Sequence, residues 1–395
     1  MPDERRGWPH GFATTVPDRD ALLVLSHLET ILPRELHSLA WREGSATACL
    51  AAVRGGAGSP SDRGIAAAVD VVDVRSRLRV CGARFVVAGD AGYPEALLDL
   101  PDPPGWLYVR GAELPASSDG VAVVGARAAS PYGRDAAALI GSAAAAAGVV
   151  VISGAARGID ASAHRGALDA GGLTIAILGS GIDMLYPRSS TRLLERIASE
   201  GIIVSEYPPG MHAGRRRFPA RNRIVAALAR AVVVVEGTDR SGSLITADLA
   251  EQIQRSILAV PGPIDNPLSA APHGLIRDGA RIVMEPDDVL RELGIIPEAD
   301  GNAVAEPPGL SEEERALFRC LSGSPATLEA LARASGVPPG AALALLSGLE
   351  LRGLVAAEGG RYRRAPVPPR RQKRSARQTS SEPWNAEETA SAVTG

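Results

Sequence analysis

The segment Ser153–Asp160 has the composition of an anion-binding loop between a strand and a helix. It reads Ser-Gly-Ala-Ala-Arg-Gly-Ile-Asp and follows an apolar, β-branched run at 149–152. The first N–H groups of a helix lack intrahelical partners, and the helix dipole favours negative charge there. Small residues let a phosphate approach the backbone, although a tight turn with a surface arginine would look the same. The predicted phosphate-binding residues are Ser153, Gly154, Arg157 and Gly158.

A second candidate is a run of arginines around one phenylalanine. Between Gly210 and Arg223 the sequence has no acidic residue, and Phe218 lies among the arginines. Guanidinium groups bind phosphates and an exposed ring stacks on a base, which is the chemistry of single-stranded nucleic acid binding. These residues alone leave two alternatives open, a small phosphate ligand and a solvated loop with the ring in the core. The arginines are Arg215, Arg216, Arg217, Arg221 and Arg223.

Strand-like and helix-like segments alternate from Gly120 to about residue 295. Continuous apolar strands separated by helices are typical of a parallel sheet covered on both faces, and ligands bind such sheets at the carboxyl ends of the strands. We therefore predict an α/β, doubly wound Rossmann-like core over 119–295, with Gly125 and Arg127 at the end of its first strand. The predicted strands are 121–124, 149–152, 174–178, 202–204, 231–235, 257–260 and 281–284. The predicted helices are 131–147, 159–170, 190–199, 221–230 and 242–255.

The composition excludes several kinds of site. The 395 residues carry a formal charge of −3, so a polyanion would have to bind to a local cluster of cations. Lys373 is the only lysine, which excludes a lysine-dependent phosphate loop and a Schiff base in the core. The histidines and the three cysteines lack metal-ligand spacing. The first strand is not followed by Gly-x-Gly-x-x-Gly, and none of Ser153, Ser205 and Ser243 lies in Gly-x-Ser-x-Gly. We expect no metal, no cofactor and no catalytic residue.

Two further expectations concern location and the first helix after the loop. Free cysteines and the lack of a long apolar run predict a cytoplasmic protein that does not enter a membrane.

Asp160 and His164 fall on one face of the predicted helix. We expect a helix-capping aspartate and a packed histidine.

The regions that flank the core predict smaller modules. A capping-box pattern at Ser311–Glu314, followed by three helix-like segments and two short strands, is typical of a winged helix. The predicted divisions are a disordered N-terminus at 1–19, a helical module of the SAM or helix-hairpin-helix kind at 20–80, an extended connector with one strand (106–109) that packs on the core at 81–118, a linker at 296–310, a winged-helix-like domain at 311–365 and a disordered basic tail at 366–395.

The predicted winged-helix-like domain is more acidic than basic. Residues 310–360 contain four arginines and six glutamates. A surface that holds phosphates needs an excess of cations, so we expect this domain to contact protein or to regulate. The basic tail could add nonspecific affinity for nucleic acid.

The core motifs, in their order, resemble the DprA/Smf family of bacterial DNA-processing proteins. The resemblance runs from about residue 93 to about residue 284. The motifs are Val123-Val-Gly-Ala-Arg127, Ser130-Pro-Tyr-Gly133, Ser153-Gly-Ala-Ala-Arg-Gly-Ile-Asp160, Ala163-His-Arg-Gly166, Ser205-Glu-Tyr-Pro-Pro-Gly210, Phe218-Pro-Ala-Arg-Asn-Arg-Ile224, Ser241-Gly-Ser-Leu-Ile-Thr-Ala247, Ala259-Val-Pro-Gly262 and Leu275-Ile-Arg-Asp-Gly-Ala280.

The resemblance implies a function and a set of partners. It implies a cytoplasmic, ATP-independent protein, not an enzyme, that binds and protects single-stranded DNA. Such a protein loads the RecA recombinase onto the strand during natural transformation and recombination. The resemblance also implies a homodimer formed through the later part of the core, here around Leu275 and Ile276.

The resemblance also implies roles for individual residues. The family's Gly-Ser-Arg is Gly125-Ala126-Arg127 here, so the arginine is kept and the serine is lost. Arg127 and Arg157 would hold phosphates, helped by Gly154 and Gly158. Phe218 would stack on a base, and Arg221, Asn222 and Arg223 would line the same pocket. A lysine commonly precedes that phenylalanine in relatives, and Arg215, Arg216 and Arg217 occupy the region here.

Two other functions stay open. A related Rossmann-like enzyme hydrolyses nucleoside monophosphates and carries the motif Pro-Gly-Gly-x-Gly-Thr-x-x-Glu. This chain has Glu236–Ser243 in the comparable place, without that glycine run or its glutamate. A nucleotide-sensing module would use the same phosphate-binding edge of the sheet.

Overall fold

A computed structural model describes residues 7–31, 33–115, 120–295, 307, 309–321 and 326–365. Its core is a nine-stranded sheet in the order β1-β2-β6-β5-β4-β3-β7-β8-β9. The strands are β1 (Ala83–Val87), β2 (Trp106–Gly111), β3 (Gly120–Val124), β4 (Val150–Ser153), β5 (Thr174–Leu178), β6 (Ile202–Ser205), β7 (Ala229–Val234), β8 (Ser256–Ala259) and β9 (Arg281–Ile282). The pairs from β6 to β9 are parallel, whereas β1 and β2 join the β6 edge antiparallel.

Helices cover both faces of this sheet. They are α1 (Val16–Leu25), α2 (Pro33–Glu43), α3 (Ala46–Ala52), α4 (Pro60–Ala68), α5 (Val71–Cys81), α6 (Pro131–Ala146), α7 (Ile159–Asp169), α8 (Thr191–Glu200), α9 (Arg217–Ala227), α10 (Gly242–Gln252), α11 (Ala270–Arg277) and α12 (Pro286–Glu292). Alternate side chains of one strand enter different clusters: Val121 and Val123 pack with α6 and α7, while Ala122 and Val124 pack with α9 and α10. The predicted doubly wound, mostly parallel core is confirmed.

The order of the strands positions the candidate site. The chain builds β3 to β6 in one direction and then returns to place β7 on the other side of β3. Helix α9 makes this return, so its first turns lie beside the carboxyl ends of β4 and β5. Such a reversal is where open α/β sheets bind ligands.

The predicted start of α9 is wrong, because the helix begins at Arg217 and not at residue 221. Pro219 lies in the first turn, where a backbone N–H has no intrahelical acceptor, so the proline does not delay the helix. Helix α10 ends at Gln252, three residues before the predicted end. Gln254 adopts a left-handed backbone conformation with φ of 58°, which a continuing helix does not allow.

The N-terminal region is more ordered than the sequence indicates. Residues 7–19 were predicted to be disordered, but Phe12 is buried and Thr15 caps α1 by accepting a hydrogen bond from Asp18 N. Residues 1–6 lie outside the described part. Helices α1, α2, α3 and α5 share one hydrophobic cluster with the sheet and α8, so they complete the core. The predicted connector supplies two strands, β1 and β2, where one was expected.

The winged helix forms a separate cluster around Phe318. Its elements are α13 (Glu312–Cys320), β10 (Ala326–Thr327), α14 (Leu328–Ser335), α15 (Pro339–Leu351), β11 (Val355–Glu358) and β12 (Arg361–Arg364). The predicted capping box at Ser311 and Glu314 is confirmed. An ion pair of 2.8 Å joins Arg363 to Asp135 at the start of α6. The tail at 366–395 and most of the predicted linker lie outside the described residues.

Two kinds of feature are absent from the described ranges. Every helix there is too short or too polar to cross a membrane. The same ranges contain no group of three or more His, Cys, Asp or Glu side chains placed to hold a metal ion.

Candidate nucleic-acid interface

Two adjoining cavities of about 290 and 530 Å³ lie at the carboxyl ends of β3, β4 and β5. Together they form what we call the groove. Each has a volume suited to a nucleotide-sized ligand, and their shared wall makes them one elongated site. The residues that line both cavities are Arg127, Gly154, Ala156, Tyr186, Phe218 and Arg221.

The loop between β4 and α7 forms one wall of the groove. A Cβ atom at Gly158 would overlap the carbonyl oxygen of Ala126, and its φ of +79° is also one that favours glycine. A Cβ atom at Gly154 would overlap the guanidinium group of Arg221. The two glycines therefore allow this loop to lie close to the first strand and to α9. Arg157 projects from the loop and is exposed.

His164 has the packed role predicted for it, whereas the prediction that Asp160 caps the helix is wrong. The N-cap of α7 is Gly158, without a side-chain hydrogen bond, and the Asp160 carboxylate, already inside the helix, accepts a hydrogen bond of 3.2 Å from Ala156 N in the preceding loop. His164 is fully buried, and its Nδ1 lies 2.7 Å from the hydroxyl of Thr174. Burial lowers the pKa of His164 to about 3, so the ring is neutral at physiological pH.

The floor of the groove holds a buried cation. Arg221 is 4% exposed, and its guanidinium group donates to the carbonyl oxygen of Ile177. Burial lowers its pKa to about 10, against the opposing effect of the Asp160 carboxylate, so Arg221 stays charged near neutral pH. Burial also raises the pKa of Asp160. Arg221 lies against Gly154 and interacts electrostatically with Asp160, so it links α9 to the β4–α7 loop.

Two aromatic rings lie side by side in the groove. The centroids of Tyr186 and Phe218 are 5.8 Å apart at an interplanar angle of 33°. Phe218 is half-buried, and Gly179 makes room for it, because a Cβ there would lie 2.8 Å from the ring. The Arg127 guanidinium carbon lies 5.0 Å from the Phe218 centroid. Tyr186, which is 48% exposed, was missed in the sequence because nothing local shows that its loop lies beside Phe218.

Exposed arginines surround these rings. Each belongs to a different part of the chain, and none is paired with a carboxylate among the residues that the structure describes. Unpaired guanidinium groups are available for phosphates. Arg188 was missed in the sequence for the same reason as Tyr186. The four arginines are Arg127, Arg157, Arg188 and Arg215.

The three consecutive arginines before Phe218 do not all face the groove. Arg215 lines the larger groove cavity, whereas Arg216 and Arg217 line a different cavity beside the N-terminal helices. Arg217 donates a hydrogen bond of 2.5 Å to His212 O, and its guanidinium carbon lies 5.5 Å from the centroid of Tyr207.

Arg223 is not part of the groove, which corrects the sequence expectation. It is 4% exposed and forms two hydrogen bonds with the Glu206 carboxylate, of 2.7 and 2.9 Å. A third contact of 3.2 Å reaches Asp102. The reason is helical phase: residues two apart on a helix point about 200° away from each other, so Arg221 and Arg223 face opposite sides of α9. Neighbouring carboxylates raise the pKa of Arg223 against the effect of burial.

The remaining predicted phosphate residues differ in what they can contact. Ser153 is fully buried, and its hydroxyl donates a hydrogen bond of 2.6 Å to Val123 O. The hydroxyl is therefore not available to a ligand, contrary to the prediction that Ser153 binds phosphate. Gly125 lines the larger cavity, and a Cβ there would lie 2.6 Å from Ile159. Asn222 is half-buried at the same cavity, and its side-chain oxygen accepts a hydrogen bond of 3.0 Å from Arg221 Nε.

The acid at the carboxyl end of β7 is committed to the fold. Glu236 is 2% exposed and follows β7. Its two carboxylate oxygens accept hydrogen bonds from the backbone N and the hydroxyl of Ser130, at 2.9 and 2.5 Å. Glu236 therefore holds the N-terminus of α6 and does not line the groove.

The predicted dimer residues lie on another part of the core. Leu275 and Ile276 are half-buried on α11, and Leu275 packs against the cluster beneath α9 and α10. Nearby, β9 is an edge strand of the sheet, and Ile282 and Met284 are 45% and 82% exposed.

Two family models match this sequence. The model described as DNA recombination-mediator protein A matches residues 84–294, and the DprA winged helix domain matches residues 301–361. The first match covers more than half of the chain. The chain belongs to the DprA/Smf family. The resemblance stated from the motifs and the winged helix are both confirmed.

Individual relatives agree with this assignment. A relative from Mycobacterium tuberculosis is 45% identical over 249 residues, which are 61% of this chain and 63% of that protein. The chain thus spans slightly less than two thirds of that relative. Protein Smf of Escherichia coli is 38% identical over 288 residues, or 70% of this chain and 76% of that protein. The X-ray structure of DNA processing protein A from Streptococcus pneumoniae matches with a TM-score of 0.61 and 31% identity, covering 70% of this chain and 98% of that one.

Proposed function

We propose that this chain binds single-stranded DNA in the groove. The observation that carries the proposal is the pair of rings at Tyr186 and Phe218, surrounded by four exposed arginines that no described carboxylate pairs with. Stacked rings bind bases without regard to sequence, and the guanidinium groups bind the phosphates between them. A groove that is elongated and open suits a strand better than a single small molecule.

The proposed cellular role follows from the family. As a DprA/Smf protein, the chain would act in DNA processing during recombination and natural transformation, would protect the strand and would hand it to RecA. It would act in the cytoplasm as a homodimer, with Leu275 and Ile276 in the contact. The exposed Ile282 and Met284 near the β9 edge support a contact at this end of the sheet, because unpaired strand edges and exposed apolar side chains pair readily.

Binding without catalysis is the proposal that the residues favour. The phosphoribohydrolase alternative needs a glutamate open to the ligand, but Glu236 is held by Ser130. The buried hydroxyls of Ser153 and Ser205 donate to the carbonyl oxygens of Val123 and Ser180. None of these groups is placed to act on a substrate in the groove.

The proposal is tested by measuring the affinity for labelled oligo-dT across a salt series, with matched duplex as competitor. We expect tight binding that prefers the single strand and weakens steeply with salt. Binding without strand preference would overturn the proposal. A thermal-shift screen with nucleoside monophosphates tests the alternative of a nucleotide sensor. A ligand at 100 times its Kd would stabilise the folded protein by about 2.7 kcal/mol.

The RecA and dimer proposals need separate tests. The rate at which RecA assembles on the bound strand should rise when the chain is present, and an unchanged rate would contradict loading. Sedimentation should show a dimer that Ile276→Glu dissociates. A monomeric parent protein would contradict the homodimer.

A further inference from the structure

A third cavity, of about 460 Å³, lies between the N-terminal helices and the core. We call it the cleft. One side is apolar, with half-buried or buried side chains from both regions. The other side carries three arginines at the start of α9. The apolar side includes Trp8, Leu25, Leu28, Ile31, Trp106 and Met211.

The arginines give this cleft a positive edge. Arg215 and Arg216 are exposed, and no described carboxylate pairs with them. Two carboxylates also line the cleft: that of Glu206 is held by Arg223, and Glu29 is exposed on the opposite rim. The edge nearest α9 therefore favours an acidic occupant, and the apolar side favours an aromatic or aliphatic one.

One residue that lines the cleft has a polar atom without a partner. The indole Nε1 of Trp8 is buried and has no acceptor among the described residues. A carbonyl or carboxylate oxygen of an occupant that reached this donor would satisfy it. A peptide offers such oxygens along its whole backbone.

The last residues of this chain have the matching chemistry. Residues 381–395 contain Glu382, Trp384, Glu387 and Glu388, and no lysine or arginine. An indole between carboxylates complements an apolar wall with arginines at its edge. The preceding residues 370–377 are strongly basic, so within the tail the acidic residues are confined to the last segment.

The chain is long enough to reach. The described part ends at residue 365, two residues after Arg363, which contacts Asp135 near the N-terminus of α6. That turn follows the same strand as Arg127, on the groove side of the sheet. Residues 366–380 can extend about 50 Å. This length is comparable to the diameter of a folded domain of this size, about 50 Å, so the reach of the segment is compatible with docking in the cleft.

We propose that residues 381–388 dock in the cleft, with Trp384 on its apolar side and the glutamates on Arg215, Arg216 and Arg217. Arg215 lines both the cleft and the groove. The docked segment therefore competes with a polyanion for Arg215 and lowers the positive charge beside the groove. This competition, though not the docking itself, rests on the proposed binding of single-stranded DNA.

The first test measures docking without DNA. A labelled peptide of residues 378–392 is titrated into the chain ending at Ser380, which retains every described residue. We expect saturable binding with a Kd on the order of 0.1 mM that weakens with salt. A peptide with Trp384→Ala is the matched control and should bind at least several times more weakly. No saturation up to millimolar peptide would overturn the proposal.

A second variant set locates the docking site. Leu28→Glu places a carboxylate on the half-buried apolar side and should abolish peptide binding. Arg216→Ala, at an exposed position, removes one charge of the edge and should weaken binding even if Leu28→Glu does not fold. Peptide binding that neither variant changes would contradict the cleft as the site.

The third test measures competition. A tethered segment has an effective concentration on the order of 1 mM, so a peptide with a Kd of about 0.1 mM would weaken DNA binding about tenfold. The chain ending at Ser380 and the variant E382Q/E387Q/E388Q should therefore bind oligo-dT about tenfold more tightly than the full chain. Equal affinities would overturn competition. If no form binds single-stranded DNA, the proposed function fails, and the peptide titration still decides the docking.

Discussion

The groove and the winged helix differ in how most of their arginines are used. In the groove, Arg127 and Arg157 are exposed and unpaired among the described residues. In the winged helix, Arg352 pairs with Glu314, Arg363 pairs with Asp135, and Arg364 lies 4.4 Å from the Phe318 ring centroid. The difference teaches that the pairing of arginines, more than their number, indicates where a phosphate can bind.

The third helix of the winged helix supports the same distinction. Helix α15 contains no lysine or arginine, and Leu343 and Leu351 are 45% and 91% exposed. In DNA-binding proteins of this architecture the corresponding helix supplies polar and basic contacts. A winged helix therefore does not by itself indicate DNA binding, because function depends on the side chains that the fold presents.

The largest expected effect comes from an arginine of the core that is used internally. Arg223→Ala leaves the Glu206 carboxylate buried without its partner, so the free energy of unfolding should fall by about 3–5 kcal/mol. Urea denaturation measures it. Adding Glu206→Gln should recover part of the loss. A loss below about 1 kcal/mol would contradict the internal role that we assign to Arg223.

The next effect concerns the aromatic pair. Phe218→Ala should weaken oligo-dT binding by about 1–3 kcal/mol, because one base loses its stacking partner. Fluorescence anisotropy measures the affinity. Phe218→Tyr keeps the ring and is the matched control, with a much smaller change expected. If alanine and tyrosine behave alike, Phe218 does not stack on a base.

A pair of single substitutions compares the two regions directly. Arg157→Ala in the groove and Arg333→Ala on exposed α14 remove the same charge. The first should make the slope of log K against log salt shallower by about 0.7, the value for one phosphate contact of a single strand. The second should leave the slope unchanged. Equal changes would show that total charge, and not the groove, determines affinity.

The smallest expected effect tests the winged helix itself. Ser347→Glu adds a negative charge to the exposed face of α15. If that helix does not contact DNA, the affinity for oligo-dT should change less than twofold at moderate salt, because the charge is screened within about 10 Å. A loss as large as that of Arg157→Ala would place the winged helix in the interface.

Much of the fold could be predicted because its signals are local. Apolar strands such as Thr174–Leu178 and small-residue loops such as Ser153–Asp160 fix a parallel sheet and its ligand-binding edge. Arg127, Arg157 and Phe218 all lie at the groove because each follows a strand end or begins α9. The capping box at Ser311 could also be predicted, because its pattern spans only four consecutive residues.

The errors arose where partners lie far apart in sequence. The sequence does not show that Glu206 and Asp102 meet at Arg223, or that Ser153 donates to Val123. The sequence also does not show that the loop with Tyr186 and Arg188 lies beside Phe218. Burial and pairing of single side chains depend on these long-range contacts, whereas secondary structure depends mainly on neighbours.

The most direct measurement is photocrosslinking with a single-stranded oligonucleotide that carries bromouracil, followed by mass spectrometry of the crosslinked peptides. Our account predicts crosslinks to the peptide that contains Tyr186 and to the peptide that contains Phe218. In the Phe218→Ala variant, the crosslink to the second peptide should be lost. Crosslinks confined to residues 309–365 or to the tail, with none in the groove, would contradict it.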